Sequence, residues 1–281
     1  MEEKKTRPRS VLNGTLMVIS ILVVLFLLPA VFMGGKVFEK FLSTYGVKIS
    51  PNFNGGYLIA EFDDPSDDML LSLPTDTLYR NAHSALDIRK FSVRKVKFNI
   101  LSGIGLEPRM NLCFEFDGKQ PNPFDFKNNF SFPVMHVYIK TPIQRLAQKN
   151  SNKTARLNFQ NEVWGYQVII DGSHEQARVF DNEGKYLFNG IGIYTQYEEM
   201  PDKTTKTIIT AALPLDLIGD PSKGEWKFFV VVGLYDIRNP SMLFRIDKDS
   251  LDVFDYVAPD SVHSKMDAFG SIYPLIVNNS K

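Results

Sequence analysis

The longest apolar run of the chain is residues 11–33, VLNGTLMVISILVVLFLLPAVFM, whose core from Leu16 onward carries no charge. At about 1.5 Å per residue, a helix of this length crosses a bilayer. Lys4, Lys5, Arg7 and Arg9 precede the run and Lys36 and Lys40 follow it. That bias keeps the N-terminal residues 1–10 in the cytoplasm and places the C-terminal body outside. The exit, PAVFMGG, has no A-x-A cleavage pattern, so the expectation is an uncleaved signal anchor in the cell membrane, held by lipid through residues 11–33. Residues 34–56 then read as a stalk. Val37, Phe38, Phe41, Leu42 and Tyr45 recur at helical spacing until SPNFNGG breaks the pattern.

From Tyr57 the period changes. YLIAEF, FSVRKVKFNI, NLCFEF, VMHVYI, VWGYQVII, QARVF, TIITAAL and WKFFVVVGLYD are short, rich in β-branched and aromatic residues, and bounded by Gly, Pro, Asn or Asp. In FSVRKVKFNI the apolar parity slips between Val93 and Val96, which predicts a bulge or tight bend. Trp226–Val232 is almost continuously apolar and predicts a strand covered on both faces. Many strands without alternating long helices predict an all-β fold, a two-sheet antiparallel β-sandwich over residues 57–281, preceded by the transmembrane helix.

Composition narrows the function. Lys plus Arg equals Asp plus Glu at 32 each, whereas a protein gripping phosphates usually carries a basic excess, so nucleic acid is not the expected partner. The 22 Phe and 11 Tyr among 281 residues suit an aromatic, strand-rich core. The single Cys113 can form no intrachain disulfide and no cysteine zinc site, and reads as a packed thiol. Asn129-Phe130-Ser131, Asn152-Lys153-Thr154 and Asn278-Asn279-Ser280 fit N-x-S/T and are compatible with an exterior location.

Enzyme motifs are missing. The sequence has no GxSxG, GxxxxGK[ST] or HExxH, and Gly190-Ile191-Gly192 reads as a turn or bulge. His83, His136, His174 and His263 are scattered singly; His136 shares a strand face with Tyr138 and Lys140, a polar setting with no second histidine at metal or haem spacing. The stretch EFDDPSDD places Asp63, Asp64, Asp67 and Asp68 just after the first strand. Neighbouring aspartates in one loop do not flank a glycosidic bond, so the readings are a solvated turn or calcium, which takes six to eight oxygen ligands in irregular geometry. The loop Asp117–Pro133 carries Phe124, Phe126, Phe130 and Phe132. Aromatic faces stack on sugars, and aromatics in a long loop also anchor it to a core. Trp164 and Trp226 each open a strong strand, with core packing as the default.

The order FDDPSDD, LPTD, LDIRKFSV, NPF…NFS with VMHVYI, VWGYQVII and LPLDLIGDPSKGEWKFFVVVGLYD resembles the C-terminal domain of glucodextranase, one of the carbohydrate-binding-module-like and DOMON-like β-sandwiches. Its most specific part is Leu213–Asp236, with Pro214, Leu217, Gly219, Pro221, Gly224, Trp226 and Gly233 in order. The resemblance implies a non-catalytic, extracytoplasmic surface module that binds carbohydrate or cell-surface glycan. Ligand-binding candidates are Phe124, Phe126, Phe130 and Trp164. It also implies structural calcium at Asp63, Asp64, Asp67 and Asp68, although this chain reads D-P-S-D-D without the family's glycine and has Lys140 where an aspartate is common. The alternative expectation is a scaffold or accessory subunit docking a protein partner in a membrane or cell-surface complex.

Overall fold

The computed structural model describes residues 56–65, 79, 82–96, 108–142, 164–238, 253–257 and 274–279. The expected membrane span at 11–33 and the stalk at 34–56 lie outside the described residues, apart from Gly56. Among the described residues no helix is long and apolar enough to cross a membrane.

Among the described residues, twelve strands and two single-turn helices follow in chain order: β1 Tyr57–Asp63, α1 His83–Leu86, β2 Ile88–Val96, β3 Arg109–Asp117, β4 Pro133–Lys140, β5 Tyr166–Ile170, β6 Arg178–Asp181, β7 Tyr186–Asn189, β8 Gly192–Glu199, β9 Thr205–Pro214, α2 Leu215–Ile218, β10 Gly224–Leu234, β11 Asp255–Tyr256 and β12 Leu275–Asn279. They form two sheets. The first has five strands in the order β1-β2-β3-β9-β8; the second runs β11-β10-β4-β5-β6-β7, with β12 also on β10. Every pairing is antiparallel. The all-β, two-sheet antiparallel sandwich read from the sequence is thus the observed architecture, and all described residues belong to one compact unit.

Alternation builds the core. Phe91, Val93, Leu112, Phe114, Ile209 and Ala211 face inward from the first sheet, and Met135, Val137, Val168, Phe228 and Val230 from the second. Phe91 lies 5.4 Å from Phe114 on its own sheet and 5.9 Å from Phe228 across the interface. A buried aromatic in such a core contributes about 3–5 kcal/mol by the cost of its truncation to alanine. Strand β10 is covered on both faces, as its continuous apolar run predicts. Phe228 and Val230 enter the inter-sheet core, while Phe229 and Val231 join a second cluster with Val134, Tyr138, Trp164, Tyr235, Val253 and Tyr256. A buried carboxylate ties the layers. Asp255 of β11 accepts the backbone N–H of Ile88 in β2 (2.8 Å) with one oxygen and that of Tyr256 (2.8 Å) with the other.

Three expectations change. The bulge expected between Val93 and Val96 is elsewhere: β2 pairs with β3 without interruption from Lys90 to Val96, and the irregularities fall at Arg89 in β2 and at Ile59 in β1. The parity slip arises because β2 is buried on both faces at Phe91-Ser92-Val93 and half-exposed beyond. The short strands β11 and β12, and strands β7 and β8, are not among those the sequence pattern predicts. YLFN is largely exposed and GIYTQYEE mixes polar with apolar residues, since both strands lie at sheet edges. Gly190-Ile191 is more than a turn: it carries the chain from the second sheet to the first. Gly190 N–H donates to Ala177 O and Ile191 N–H to Ala212 O (both 2.7 Å). A Cβ at Gly190 would lie 2.8 Å from Ala212 O, so the crossing needs glycine.

Candidate functional site

The strands place the candidate residues at two opposite ends of the sandwich. At one end, β3 runs into the aromatic loop that precedes β4, and β5 runs into the loop 171–177. Asn122 organises the aromatic loop. Its Oδ1 accepts the N–H of Phe126 (3.0 Å) and the Ser131 hydroxyl (2.6 Å), while its Nδ2 donates to Phe126 O (2.8 Å). Asp125 and Asn129 take positive φ, as tight turns allow for these residues. Asn128 Nδ2 donates to His174 O, Thr195 Oγ1 donates to Asn128 O, Tyr197 OH donates to Asn129 O (3.0 Å), and Lys127 pairs with Glu175 (2.7 Å). The loop is therefore strapped to both sheets. Phe130 is fully buried in the inter-sheet core; Trp164, which precedes β5 at the opposite end, is fully buried in the second cluster, 5.1 Å from Tyr138. Phe124 and Phe126 are half-buried against Tyr235, at 6.1 and 5.2 Å.

The same end carries a grouping whose composition suggests catalysis. Asp171 is 2% exposed and accepts the N–H (2.9 Å) and hydroxyl (2.5 Å) of Ser173, Nδ1 of His174 (2.8 Å) and Nη2 of Arg178 (2.9 Å). Burial would raise its pKa, but the His174, Ser173 and Arg178 contacts outweigh that and hold it below the ordinary carboxylate value. A Ser-His-Asp relay needs the acid on one ring nitrogen and the serine on the other. Here Ser173 Oγ (3.0 Å) and Asp171 both meet Nδ1, within one turn of chain. The group is a satisfied Asp-centred turn. Arg178 and Asp171 also flank His136, which is 2% exposed and within hydrogen-bond reach of Tyr138 OH (3.4 Å) and Gln167 Nε2 (3.2 Å). Burial first, and Arg178 second, push its pKa down to about 3, so the ring is neutral. Its neighbours are polar, as its strand face predicts, but the cluster is buried.

The acidic stretch begins at this end too. Asp63 closes β1 and pairs with Lys90 (3.1 Å), which also holds Glu61 (2.9 Å). Asp64 is buried at 5% exposure, its N–H donating to Arg89 O (2.9 Å). Asp67 and Asp68 lie outside the described residues. Among the described residues, no three His, Cys, Asp or Glu side chains cluster as metal ligands.

At the other end, the β9–β10 connection faces the exit of β4 and the entry of β5 across a groove of about 680 Å³. Its walls are Thr141, Pro142, Tyr166, Asp216–Asp220, Lys223, Gly224 and Trp226. Pro214, in extended conformation, starts the single turn α2, whose Ile218 is buried while Leu217 is 50% exposed. Asp220 then locks the loop, accepting the N–H (3.0 Å) and hydroxyl (2.6 Å) of Ser222 and an ammonium bond from Lys95 of β2 (2.5 Å). Burial would raise the Asp220 pKa, but Lys95 and Ser222 prevail and bring it to about 2. Trp226 is buried beneath, its indole N–H donating to Lys223 O (2.9 Å) and its ring stacked on Phe228. By contrast, the side chains of Asp216 and Lys223 are exposed and form no hydrogen bond or ion pair with any described residue. The sequence reading marked Leu217, Gly219, Gly224 and Trp226 as family landmarks without seeing that they wall a groove. Asp216 and Tyr166 went unmarked; the signal was the density of landmarks in Leu213–Asp236.

Cys113 is the packed thiol expected, 2% exposed, with burial pushing its pKa up.

The fold defines the class as a two-sheet antiparallel β-sandwich. Residues 59–253 match the family described as the C-terminal binding module, SLH-like, of glucodextranase, and the chain belongs to that family. The family is one of binding modules and not of catalytic domains. No curated protein and no solved structure matches the chain significantly.

Proposed function

We propose that this protein is a membrane-anchored, extracytoplasmic, non-catalytic module that binds carbohydrate or cell-surface glycan. The observation that carries the reading is the match over residues 59–253 to a binding module that takes its name from a polysaccharide-degrading enzyme. The apolar run at 11–33, with its basic N-terminal flank, supports the tether. The groove beside Tyr166 and the half-exposed rings of Phe124 and Phe126 give the module two surfaces for a polyhydroxyl ligand. Phe130 and Trp164, wholly buried, serve this reading by holding the two ends in shape, Phe130 beneath the aromatic loop and Trp164 just before Tyr166 at the groove end. Affinity electrophoresis and a glycan array with the full chain in detergent test it. Retention by at least one polysaccharide is expected, and absence of binding to every polysaccharide, including those of the host envelope, would refute it. Recovery of a stable protein complex from crosslinked membranes, with no glycan binding, would favour the scaffold role instead.

A further inference from the structure

We infer that the groove between the β4 exit, Tyr166 and the Asp216–Gly224 connection is the saccharide subsite of this module, and that its ligand is a neutral glycan. The inference rests on the carbohydrate-binding reading above and assigns it to a place and a ligand charge.

Three properties of the groove point this way. Its volume of about 680 Å³ falls within the few hundred to a thousand Å³ typical of small-ligand sites, and it is open to solvent, as an internal stretch of polymer requires. Its floor is mostly apolar, from Pro142, Leu217 and the Tyr166 ring, with Leu217 half-exposed although it lies in a strand-capping turn. A pyranose presents an apolar C–H face to such a surface, and an aromatic ring suits it best. Two charged side chains at the rim, Asp216 and Lys223, have no partner among the described residues, so one strong acceptor and one strong donor stand ready for hydroxyls, each of which both donates and accepts.

The charge count selects the ligand. Asp220 is neutralised by Lys95 at 2.5 Å, and Asp216 is balanced by Lys223, so the groove is neutral overall. An acidic or a basic glycan meets one opposite and one like charge at this rim, so it gains no net Coulomb attraction to offset the desolvation of its own charged groups. A neutral sugar has no such charges to desolvate and can use both Asp216 and Lys223 as hydrogen-bond partners.

The loop is also pre-organised. The Asp220–Ser222 turn, the Lys95 bond and the Trp226–Lys223 bond fix the wall before any ligand arrives, which limits the ordering cost of binding.

The test uses the full chain in detergent against immobilised dextran, soluble starch and laminarin as neutral probes, polygalacturonate as the acidic probe and chitosan oligomers as the basic one. Variants are Tyr166→Ala, Asp216→Asn and the double change Asp216→Asn with Lys223→Gln. The last alters only exposed side chains and keeps the inference testable if Tyr166→Ala fails to fold. The expected result is retention on at least one neutral probe and not on the charged ones, weakened at least tenfold in the double variant, with the change Glu199→Gln at the exposed end of β8, on the opposite end, leaving retention unchanged. Preference for polygalacturonate or chitosan would overturn the neutral assignment. Wild-type binding that survives the groove variants but is lost in Phe124→Ala with Phe126→Ala would move the site to the other end, overturning the groove while leaving the binding function intact. No retention on any polysaccharide would overturn both.

Discussion

The two ends of this sandwich are built from similar parts and put to different use. Each has aromatic residues, aspartates and a connection between strands that carries Pro and Gly. At the aromatic-loop end most polar groups are engaged, the buried Gln120 side-chain amide being an exception among the described residues: Asn122 holds three bonds, Asp171 accepts from Ser173, His174 and Arg178, and Asn128 reaches both the 171–177 loop and β8. At the groove end one aspartate, Asp220, is engaged in the same manner, while the side chains of its neighbour Asp216 and of Lys223 have no partner among the described residues. A satisfied polar network stabilises and specifies a fold. Exposed charges with no partner add little stability and remain available for a ligand. Composition is therefore a poor guide to function; partner count is a better one.

Substitutions should separate the ends. The largest effect is expected from Phe130→Ala, which removes a fully buried ring and should cost about 3–5 kcal/mol. Thermal or denaturant unfolding would show it. Gly172→Ala should rank with it, because a Cβ there would lie 1.9 Å from Phe130 O and would push the aromatic loop away from its seat. The Asp216→Asn, Lys223→Gln double variant should stay within about 0.5 kcal/mol of wild type, as surface changes usually do. Equal losses at both ends would erase the distinction.

Next comes calcium. If the acidic stretch binds it, saturating calcium should raise the thermal midpoint by an amount corresponding to about 2.7 kcal/mol at a hundredfold excess over Kd. Asp67→Ala with Asp68→Ala should abolish the increment. Such a result would make the aromatic-loop end the reinforced one, since Asp63 and Asp64 begin there. An unchanged midpoint would leave the stretch a solvated turn.

The last comparison is in pH. His136 is held neutral with a pKa near 3 instead of its ordinary 6.5. Between those values the unfolded chain binds the proton that the folded one refuses, so stability is complete above about pH 6.5 and falls toward pH 3. Asp220 has a pKa depressed to about 2, so its contribution is complete above about pH 4 and lost as pH falls through 2. Following the midpoint against pH, His136→Gln should flatten the upper part of the acid limb and Asp220→Asn the lower part. If both variants alter the same window, the two networks are not independent.

Much of the architecture was legible in local pattern. Alternation in NLCFEF and VMHVYI, and continuity in WKFFVVVG, became β3, β4 and the doubly covered β10, because side-chain period and burial are set within a few residues. Edge strands β7 and β8 escaped notice because exposure dilutes alternation. The site was less legible. Phe124, Phe126, Phe130 and Trp164 look alike as letters, yet two are buried completely and two are half-buried, a difference made by loop packing. Asp171, Ser173 and His174 read as catalytic letters, and only the sharing of one ring nitrogen excludes the relay.

Strand identity, the apolar run at 11–33 and family membership thus follow from neighbours along the chain. The groove does not. It joins Thr141 and Pro142 with Tyr166 and with Asp216–Trp226, and its wall is locked by Lys95 to Asp220 across 125 positions of sequence. Which strand ends meet is decided by sheet order and register, and so is which charges find partners. Those depend on contacts between distant segments that no local period encodes.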